Sequence, residues 1–323
     1  MLIEENLRED KSLMKDLLYE AIIIGGGPAG LTAGIYVSRA RLKSLLIESE
    51  NLLSQLALTD RIENYPGFPE GITGNSLLER FKRQAKDFGL EFSSGNVKNI
   101  RRRENKWFIE TEDKVYEGLA VIVAVGVRPK KLEVKGEAEF TGRGVSFCAV
   151  CDGFLFKDRD IVVVGGGNTA AEEAVFLSRF AKKIYLVHRR DILRATKILQ
   201  ERLFSNERIE IIWDSTIEEI CGKERVEKIK VRNLKTQKER EILCNGVFVS
   251  IGFIPNTEVF KGILDLDSEG YIITDENMKT NLEGVFSCGD CRSKPLRQIV
   301  TAVSDGAIAA VLTTKYIEEL RSE

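Results

Sequence analysis

Two cysteines three positions apart, Cys148 and Cys151, followed directly by Asp152 and Gly153, are the residues of this sequence best suited to chemistry. Such a pair closes a small disulfide ring, opens it on accepting two electrons, and finds in the adjacent carboxylate a group to manage the accompanying proton. A dithiol of this kind needs an electron source. Glycine clusters flank it on both sides, Gly25-Gly26-Gly27-Pro28-Ala29-Gly30 upstream and Gly165-Gly166-Gly167-Asn168-Thr169-Ala170 downstream. Glycine turns that open a helix receive the pyrophosphate of a dinucleotide, so the dithiol reads as a relay between bound dinucleotides and an outside disulfide.

The elements around the first cluster fit that use. Tyr19 to Ile24 reads as a buried strand, Ala29 to Arg39 as a helix, and Leu45 to Ile47 as a second strand ending on Glu48, 23 positions after Gly25. An acid there accepts hydrogen bonds from a ribose hydroxyl. Gly25 makes the tight turn, Gly27 lets the backbone approach the pyrophosphate, and Gly30 lets helix and strand pack closely. Asp160 to Val164 repeats the opening, with a helix expected from Thr169 to Phe180 and a strand at Ile184 to Val187. Counting 23 from Gly165 reaches His188 instead of an acid, then Arg189 and Arg190, with Arg194 one helical turn further. Guanidinium groups suit a 2'-phosphate that a carboxylate would repel, so the second site is expected to prefer NADPH over NADH. The plainer account, a charged helix start on the surface, is outweighed by the coincidence with the ribose-reading position. His188 is the single histidine and is read as a packing or hydrogen-bonding residue, with no proton transfer assigned to it.

Composition narrows the class. At 323 residues there is room for about two domains of ~150 residues each. Lys plus Arg is 48 against 50 for Asp plus Glu, so the net charge of -2 creates no basic field for nucleic acid. Six cysteines, in a chain too long for a disulfide-stapled miniprotein and with no N-terminal apolar stretch, point to a reducing compartment and place the protein in the cytoplasm. The longest apolar run, Leu119 to Val127, spans nine residues, far short of the ~20 needed to cross a bilayer, so no membrane is expected.

Residues 1 to 18 are charge-rich, and a short helix or a frayed tail are both open. A helix is expected from Ser76 to Phe88 and strand-like runs at Val97 to Ile100, Trp107 to Thr111 and Leu119 to Ala124, with Arg101 to Arg103 at a solvated hairpin tip. Gly126, Arg128 and Pro129 mark a crossing between domains, and Gly252 and Pro255 the return. Between them, Glu210 to Trp213, Ile217 to Ile220, Val226 to Val231 and Glu241 to Cys244 read as short strands of a small sheet insertion, and Val247 to Ile251 as a buried strand. Gly270 to Thr274 is hairpin-like, Gly284 to Cys291 is a strand ending in a glycine-acid turn, and Gln298 to about Leu320 is helical. The expected fold is α/β, two Rossmann-like dinucleotide-binding domains of three-layer ββα type, the second inserted into the first. The boundaries are 1-127 with 254-323 for one domain and 128-253 for the other.

With the redox stretch, Gly165 to Ala174, His188-Arg189-Arg190 and Arg194 in hand, the chain closely resembles the low-molecular-weight bacterial and archaeal thioredoxin reductases. The resemblance runs from Tyr19 onward and takes in Glu63-Asn64-Tyr65-Pro66-Gly67, Ile251-Gly252 with Pro255-Asn256-Thr257, and Gly289-Asp290 with Arg297-Gln298. It implies FAD at the first turn, held by Gly25, Gly27, Pro28, Ala29, Gly30, Glu48, Gln55 and Asn64, with Asp290 near the ribityl chain and Arg297 and Gln298 near the isoalloxazine. It implies NADPH at Gly165, Gly167, Asn168, Thr169, Arg189, Arg190 and Arg194. It further implies that Cys151 faces the flavin, that Cys148 attacks the protein disulfide, and that Asp152 protonates a thiolate. The chain departs from the pattern at Leu53-Ser54, where many members carry Gly-Gly, and at Ala124-Val125-Gly126, where many carry Ala-Thr-Gly.

The expected reaction is NADPH-dependent reduction of thioredoxin, or a similar thioredoxin- or glutaredoxin-like protein, through FAD and the Cys148–Cys151 disulfide. Because nucleotide turn and dithiol both lie in the inserted domain, that domain is expected to rotate on hinges near Gly126 to Lys130 and Ile251 to Pro255. A homodimer follows from the resemblance. Rival readings keep the fold and change the flow, as a reductase fed by ferredoxin or flavodoxin or as a dithiol oxidase, and the arginine cluster argues against both. A ferredoxin-NADP reductase of similar fold should lack the dithiol. A non-catalytic nucleotide-sensing module is the reading from another class. Cys288 and Cys291 form a second CxxC, which with Cys148 and Cys151 invites zinc, yet each pair lies in a different motif. No metal is expected, and Cys288 and Cys291 read as small buried apolar residues.

Overall fold

The computed structural model describes residues 18–49, 54–58, 62 and 64–322. The readings made for residues 1 to 17, for Leu53 and for Glu63 lie outside them. Two compact units form: one from the described residues of Met1–Ala57 with Thr73–Arg128 and Ile254–Glu323, the other from Leu58–Ile72 and Pro129–Phe253.

The first unit opens with β1 (Leu18–Ile24), α1 (Pro28–Arg39), β2 (Ser44–Glu48), α2 (Gly74–Asp87) and β3 (Glu91–Ser94). An antiparallel run follows in β4 (Asn99–Arg103), β5 (Lys106–Glu110) and β6 (Val115–Val123), and β7 (Val127–Pro129) carries the chain onward. The second unit contains α3 (Glu137–Phe140), β8 (Val145–Ser146), α4 (Ala149–Asp152), β9 (Asp160–Val164), α5 (Asn168–Leu177) and β10 (Lys183–Val187). It continues with α6 (Lys197–Phe204), β11 (Ile209–Ile212), β12 (Ser215–Gly222), β13 (Val226–Asn233), β14 (Glu239–Leu243) and β15 (Gly246–Val249). Strand β16 (Phe253–Pro255) pairs with β7 on the return, and β17 (Val285–Ser287) and α7 (Ile299–Ser322) complete the first unit.

The first sheet runs β3-β2-β1-β6-β5-β4, with β17 also on β6. Strand β6 pairs parallel with β1 along one edge and divides the other, its first half antiparallel with β5 and its second half parallel with β17. Strands covered on both faces read as continuous apolar runs, which is why Ala21 to Ile24 and Ala120 to Val123 are buried without alternation. The second sheet, β11-β10-β9-β15-β8, is parallel throughout. One of its faces packs Val162, Val164 and Val187 against Ile217, Ile229 and Val231 of the antiparallel sheet β12-β13-β14. The other packs Ile161 and Val163 against Ala170, Ala174 and Leu177 of α5. The expected three layers are present.

Several local expectations change. Arg101 to Arg103 belong to β4, and the tip falls at Glu104 in left-handed conformation. Cross-strand contacts draw the arginines into the strand: Arg102 lies 6.0 Å from the Trp107 ring centroid, and Arg101 Nε is 2.8 Å from Glu110. Strand β11 joins the parallel sheet beside β10 instead of the antiparallel insertion. Strand β3 was not foreseen, since its one apolar residue leaves no alternation to read, and neither was α6. Helix α5 ends at Leu177, three residues early, because Ser178 turns its hydroxyl onto the Val175 carbonyl and Phe176 meets Phe180 edge-on. Among the described residues no helix is long and apolar enough to cross a membrane.

Helices α1 and α7 cross at their closest where Gly306 faces the backbone of Ala29; a Cβ on Gly306 would stand 2.2 Å from the Ala29 carbonyl oxygen. Gly306→Ala is therefore expected to push the helices apart and cost about 1–3 kcal/mol, seen as a lowered Tm; an unchanged Tm would contradict this packing.

Candidate functional site

The two glycine turns are built alike. Gly25 has a φ of +117°, and a side chain there would stand 2.3 Å from the Ala124 carbonyl oxygen at the end of β6. Gly165 has a φ of +154° and faces the Ser250 carbonyl, just beyond β15, in the same way, at 2.5 Å. Each third glycine of the run, Gly27 and Gly167, is the N-cap of its helix, with no side-chain cap. A Cβ at Gly27 would meet only Ser54, at 3.7 Å, and one at Gly167 nothing within 4 Å. The first amides of α1 and α5 therefore look onto open space, with Pro28 at the start of α1 removing a donor that needs no partner. Gly30 has the opposite surroundings: a Cβ would lie against the Gly25 carbonyl at 1.9 Å, so helix and strand pack there without room for a side chain. Ala29 is buried beside it.

Glu48 ends β2 with one carboxylate oxygen over Gly26 and the other 2.9 Å from Lys82 Nζ of α2. In the second unit His188 takes the corresponding place over Gly166, where a Cβ would stand 2.1 Å from its ring. It is buried, its Nε2 lies 3.0 Å from the Ile192 carbonyl oxygen, and its edge meets Trp213, so it packs as expected. The segment from Arg189 to Thr196 is a loop, not a helix start; α6 begins at Lys197. Two main-chain donors pin the loop to the glycine turn: Arg194 N–H to the Gly166 carbonyl at 2.7 Å, and Thr196 N–H to Asn168 Oδ1 at 2.9 Å. Arg189, Arg190 and Arg194 are exposed on it, without an acidic partner among the described residues, and Thr169 is exposed at the start of α5.

Asp290 follows β17, and its Oδ1 is buried without a hydrogen bond among the described residues; Lys294 Nζ approaches only to 3.5 Å. Desolvation pushes its carboxyl above the ordinary range, with Lys294 and Arg297 opposing. An acceptor held dry and unused beside a glycine turn suits a sugar or ribityl hydroxyl, and with the open space at Gly27 the residues present fit a dinucleotide. The turn is held from α7: Asp305 accepts from Gly289 N–H, from Arg292 Nε and from Lys294 Nζ, at 3.1, 2.9 and 2.9 Å. Sequence reasoning missed Asp305 and Lys82, brought in from other elements, and Lys294, four residues beyond Asp290. Arg297 lies with its guanidinium 3.9 Å from the Tyr271 ring centroid and donates to the Asp290 carbonyl. Gln298 precedes α7, its N–H on Thr301 Oγ1, and Gln55 donates to the Val127 carbonyl at 2.6 Å. Asn64 is exposed and lies in Leu58–Ile72, which groups with the second unit.

The redox pair is closed: Cys148 and Cys151 form a disulfide with their Cα atoms 5.3 Å apart. Cys148 is the N-cap of α4, and Cys151 N–H points to its Sγ at 3.2 Å. Ser146, also missed, accepts from Cys148 N–H at 3.1 Å and donates to Asp152 Oδ2 at 2.6 Å, which joins carboxylate and dithiol through one hydroxyl. Gly153 fixes the turn on α5, where a Cβ would press on Leu177 at 2.8 Å. Val150 and Leu155 stand exposed beside it.

A pyridine nucleotide-disulphide oxidoreductase family model matches residues 19–306, and the chain belongs to that family. Thioredoxin reductases are among its relatives in that family. That of Peptoclostridium acidaminophilum is 47% identical, covering 93% of this chain and 98% of its own, and that of Bacillus subtilis 45% identical, covering 96% and 98%. The crystal structure of thioredoxin reductase from Streptococcus pyogenes is 44% identical and superposes with a TM-score of 0.90 over 94% of this chain and 99% of that one.

Among the described residues no group of side chains suits a metal ion. Cys288 and Cys291 are free and fully buried, and Cys291 points its thiol at the Val123 and Cys288 carbonyls. Desolvation raises both thiols, and it pushes buried Cys244 up to about 12. With the disulfide closed, a thiol reagent added to the native protein is expected to modify Cys221, the one free cysteine that is not buried, and to leave the other three silent until unfolding. Rapid loss of all four thiols from the folded protein would contradict the burial.

Proposed function

We infer that the protein is an NADPH-dependent flavoprotein disulfide reductase that reduces thioredoxin through the Cys148–Cys151 pair. The closed disulfide, carried on the same unit as the Gly165 turn, is the observation on which this reading rests. FAD, when bound, takes the hydride of NADPH and passes the electron pair to the disulfide. In this reading Gly25, Gly27, Pro28, Ala29 and Gly30 receive the FAD pyrophosphate, Glu48 its ribose and Asp290 the ribityl chain, with Gln55, Arg297 and Gln298 toward the ring. Gly165, Gly167, Asn168 and Thr169 receive the NADPH pyrophosphate, and Arg189, Arg190 and Arg194 its 2'-phosphate.

The chain's own residues carry the exchange. The disulfide gains two electrons and two protons to become two thiols. Cys151 N–H supports negative charge on Cys148 Sγ, so Cys148 is the thiolate that attacks one sulfur of the partner's disulfide. Cys151 then attacks Cys148 in the mixed disulfide, restores the ring and releases the partner as a dithiol. Asp152, bonded to Ser146, holds the proton that leaves and returns in these steps. The protein acts in the cytoplasm as a homodimer, without a nucleic-acid or membrane partner.

Cys151→Ser is expected to keep NADPH-driven bleaching of the flavin band and lose thioredoxin reduction; retained thioredoxin reduction would sink the relay. Replacing Arg189 and Arg190 by Ala is expected to raise KM for NADPH by about a hundredfold while changing that for NADH little, since each lost charge-assisted bond is worth roughly 1.5–3 kcal/mol. Equal losses for the two nucleotides would refute the phosphate role.

A further inference from the structure

Helix α5 starts at the Gly165 turn and carries, in its second turn, a half-buried glutamate with no part in the chemistry above. The Glu173 carboxylate accepts from the hydroxyl of Ser250, the residue whose carbonyl crowds Gly165. The redox turn packs on the same helix, for Ala149, the buried residue between the two redox cysteines and one peptide unit from Cys148, lies in one apolar cluster with Ala170 and Ala174, and its backbone N–H favours the ionised Glu173 carboxylate. Desolvation raises the carboxyl's pKa, Glu172 next to it adds to the rise, and the Ser250 and Ala149 bonds oppose it.

We propose that Glu173 is a positioning residue that anchors the redox turn through the Ala149 amide and keeps the Cys148–Cys151 couple strongly reducing. A dithiol becomes a poorer reductant when its thiolate is over-stabilised, because the reduced form is then favoured. The Cys151 amide stabilises charge on Cys148; the Glu173 carboxylate, behind the next peptide, opposes it. The two effects together leave Cys148 nucleophilic without trapping the enzyme in its dithiol form. Ser250 serves the carboxylate by favouring its ionised state. The glutamate thus ties three parts of the second unit together, α5, the end of β15 and the redox turn.

This inference rests on the disulfide-reductase reading, and the test separates the two. Holoenzyme is equilibrated anaerobically at about pH 8 with mixtures of reduced and oxidised dithiothreitol, and the Cys148–Cys151 thiols are trapped by alkylation and counted by mass. Enzyme disulfide and dithiothreitol exchange two electrons and two protons, so the ratio of forms gives the equilibrium constant. Glu173→Gln keeps the shape, its amide oxygen free to accept from the Ala149 N–H and its NH2 to donate to Ser250 Oγ, and removes the charge, and is expected to raise the constant for enzyme reduction about threefold, some 15 mV. Ser250→Ala is expected to raise it by less, and the double variant to match Glu173→Gln, because the serine acts only through the carboxylate. A constant unchanged or lowered in Glu173→Gln overturns the proposal, as does a Ser250→Ala effect that simply adds in the double variant. If Glu173→Gln fails to fold, an unchanged or lowered constant in Ser250→Ala overturns it alone. A wild-type disulfide that never equilibrates with dithiothreitol removes the reductase reading and the proposal with it.

Discussion

Everything in this molecule hangs on a close approach of backbone to backbone, made twice. A glycine just after β1 in one unit and just after β9 in the other lies against a carbonyl at the end of a neighbouring strand, Gly25 against Ala124 and Gly165 against Ser250. Only a residue without Cβ, and in a left-handed conformation, fits. The contact sets the angle at which α1 and α5 leave their sheets, and so where their free amides point. In the first unit the acid lies over the turn's middle glycine; in the second the imidazole does, and the arginines that follow are displayed beyond it. One geometry has thus been given two electrostatic characters.

The redox turn depends on the same scaffold at one remove. Helix α5 presents Leu177 to Gly153 and Ala170 and Ala174 to Ala149, so the element that opens at the Gly165 turn holds the disulfide along its side. Interiors packed at crystal-like density transmit displacements of a few tenths of an ångström. Nucleotide turn and dithiol are parts of one compact unit, and the chain passes into its segment Pro129–Phe253 and back at the short pair β7 and β16.

The parts legible in the sequence are those whose physics is local. The strand, its glycine turn and the acid all stand between Tyr19 and Glu48, with turn and acid 23 positions apart, and that short spacing carries their geometry. The dithiol is equally local, with sulfurs three residues apart. What escaped was assembled over long separations: Lys82 reaches Glu48 across 34 residues, Asp305 reaches the Gly289 amide across 16, and Ser250 reaches Glu173 across 77. A carboxylate in a helix pattern has no local mark saying that it will be half-buried against another element. Strand β3 was hidden for the opposite reason, since it sits on the sheet edge with polar residues that leave no period to read.

The arginine loop is held to its unit by main-chain donors, from Arg194 and Thr196, and its Arg190 carbonyl accepts from the Asp214 amide. The one side-chain tie from within it, Asp191 to Lys235, is an exposed pair of small energetic weight. Apart from Leu193 and Ala195, which are buried in the unit's core, its side chains are therefore almost free of the fold. On the proposed reading, the exposed positions between His188 and Thr196 are an exchangeable cassette in evolutionary terms, in which a lineage can rewrite which reduced nucleotide it draws upon while the dithiol and the sheets stay under separate selection.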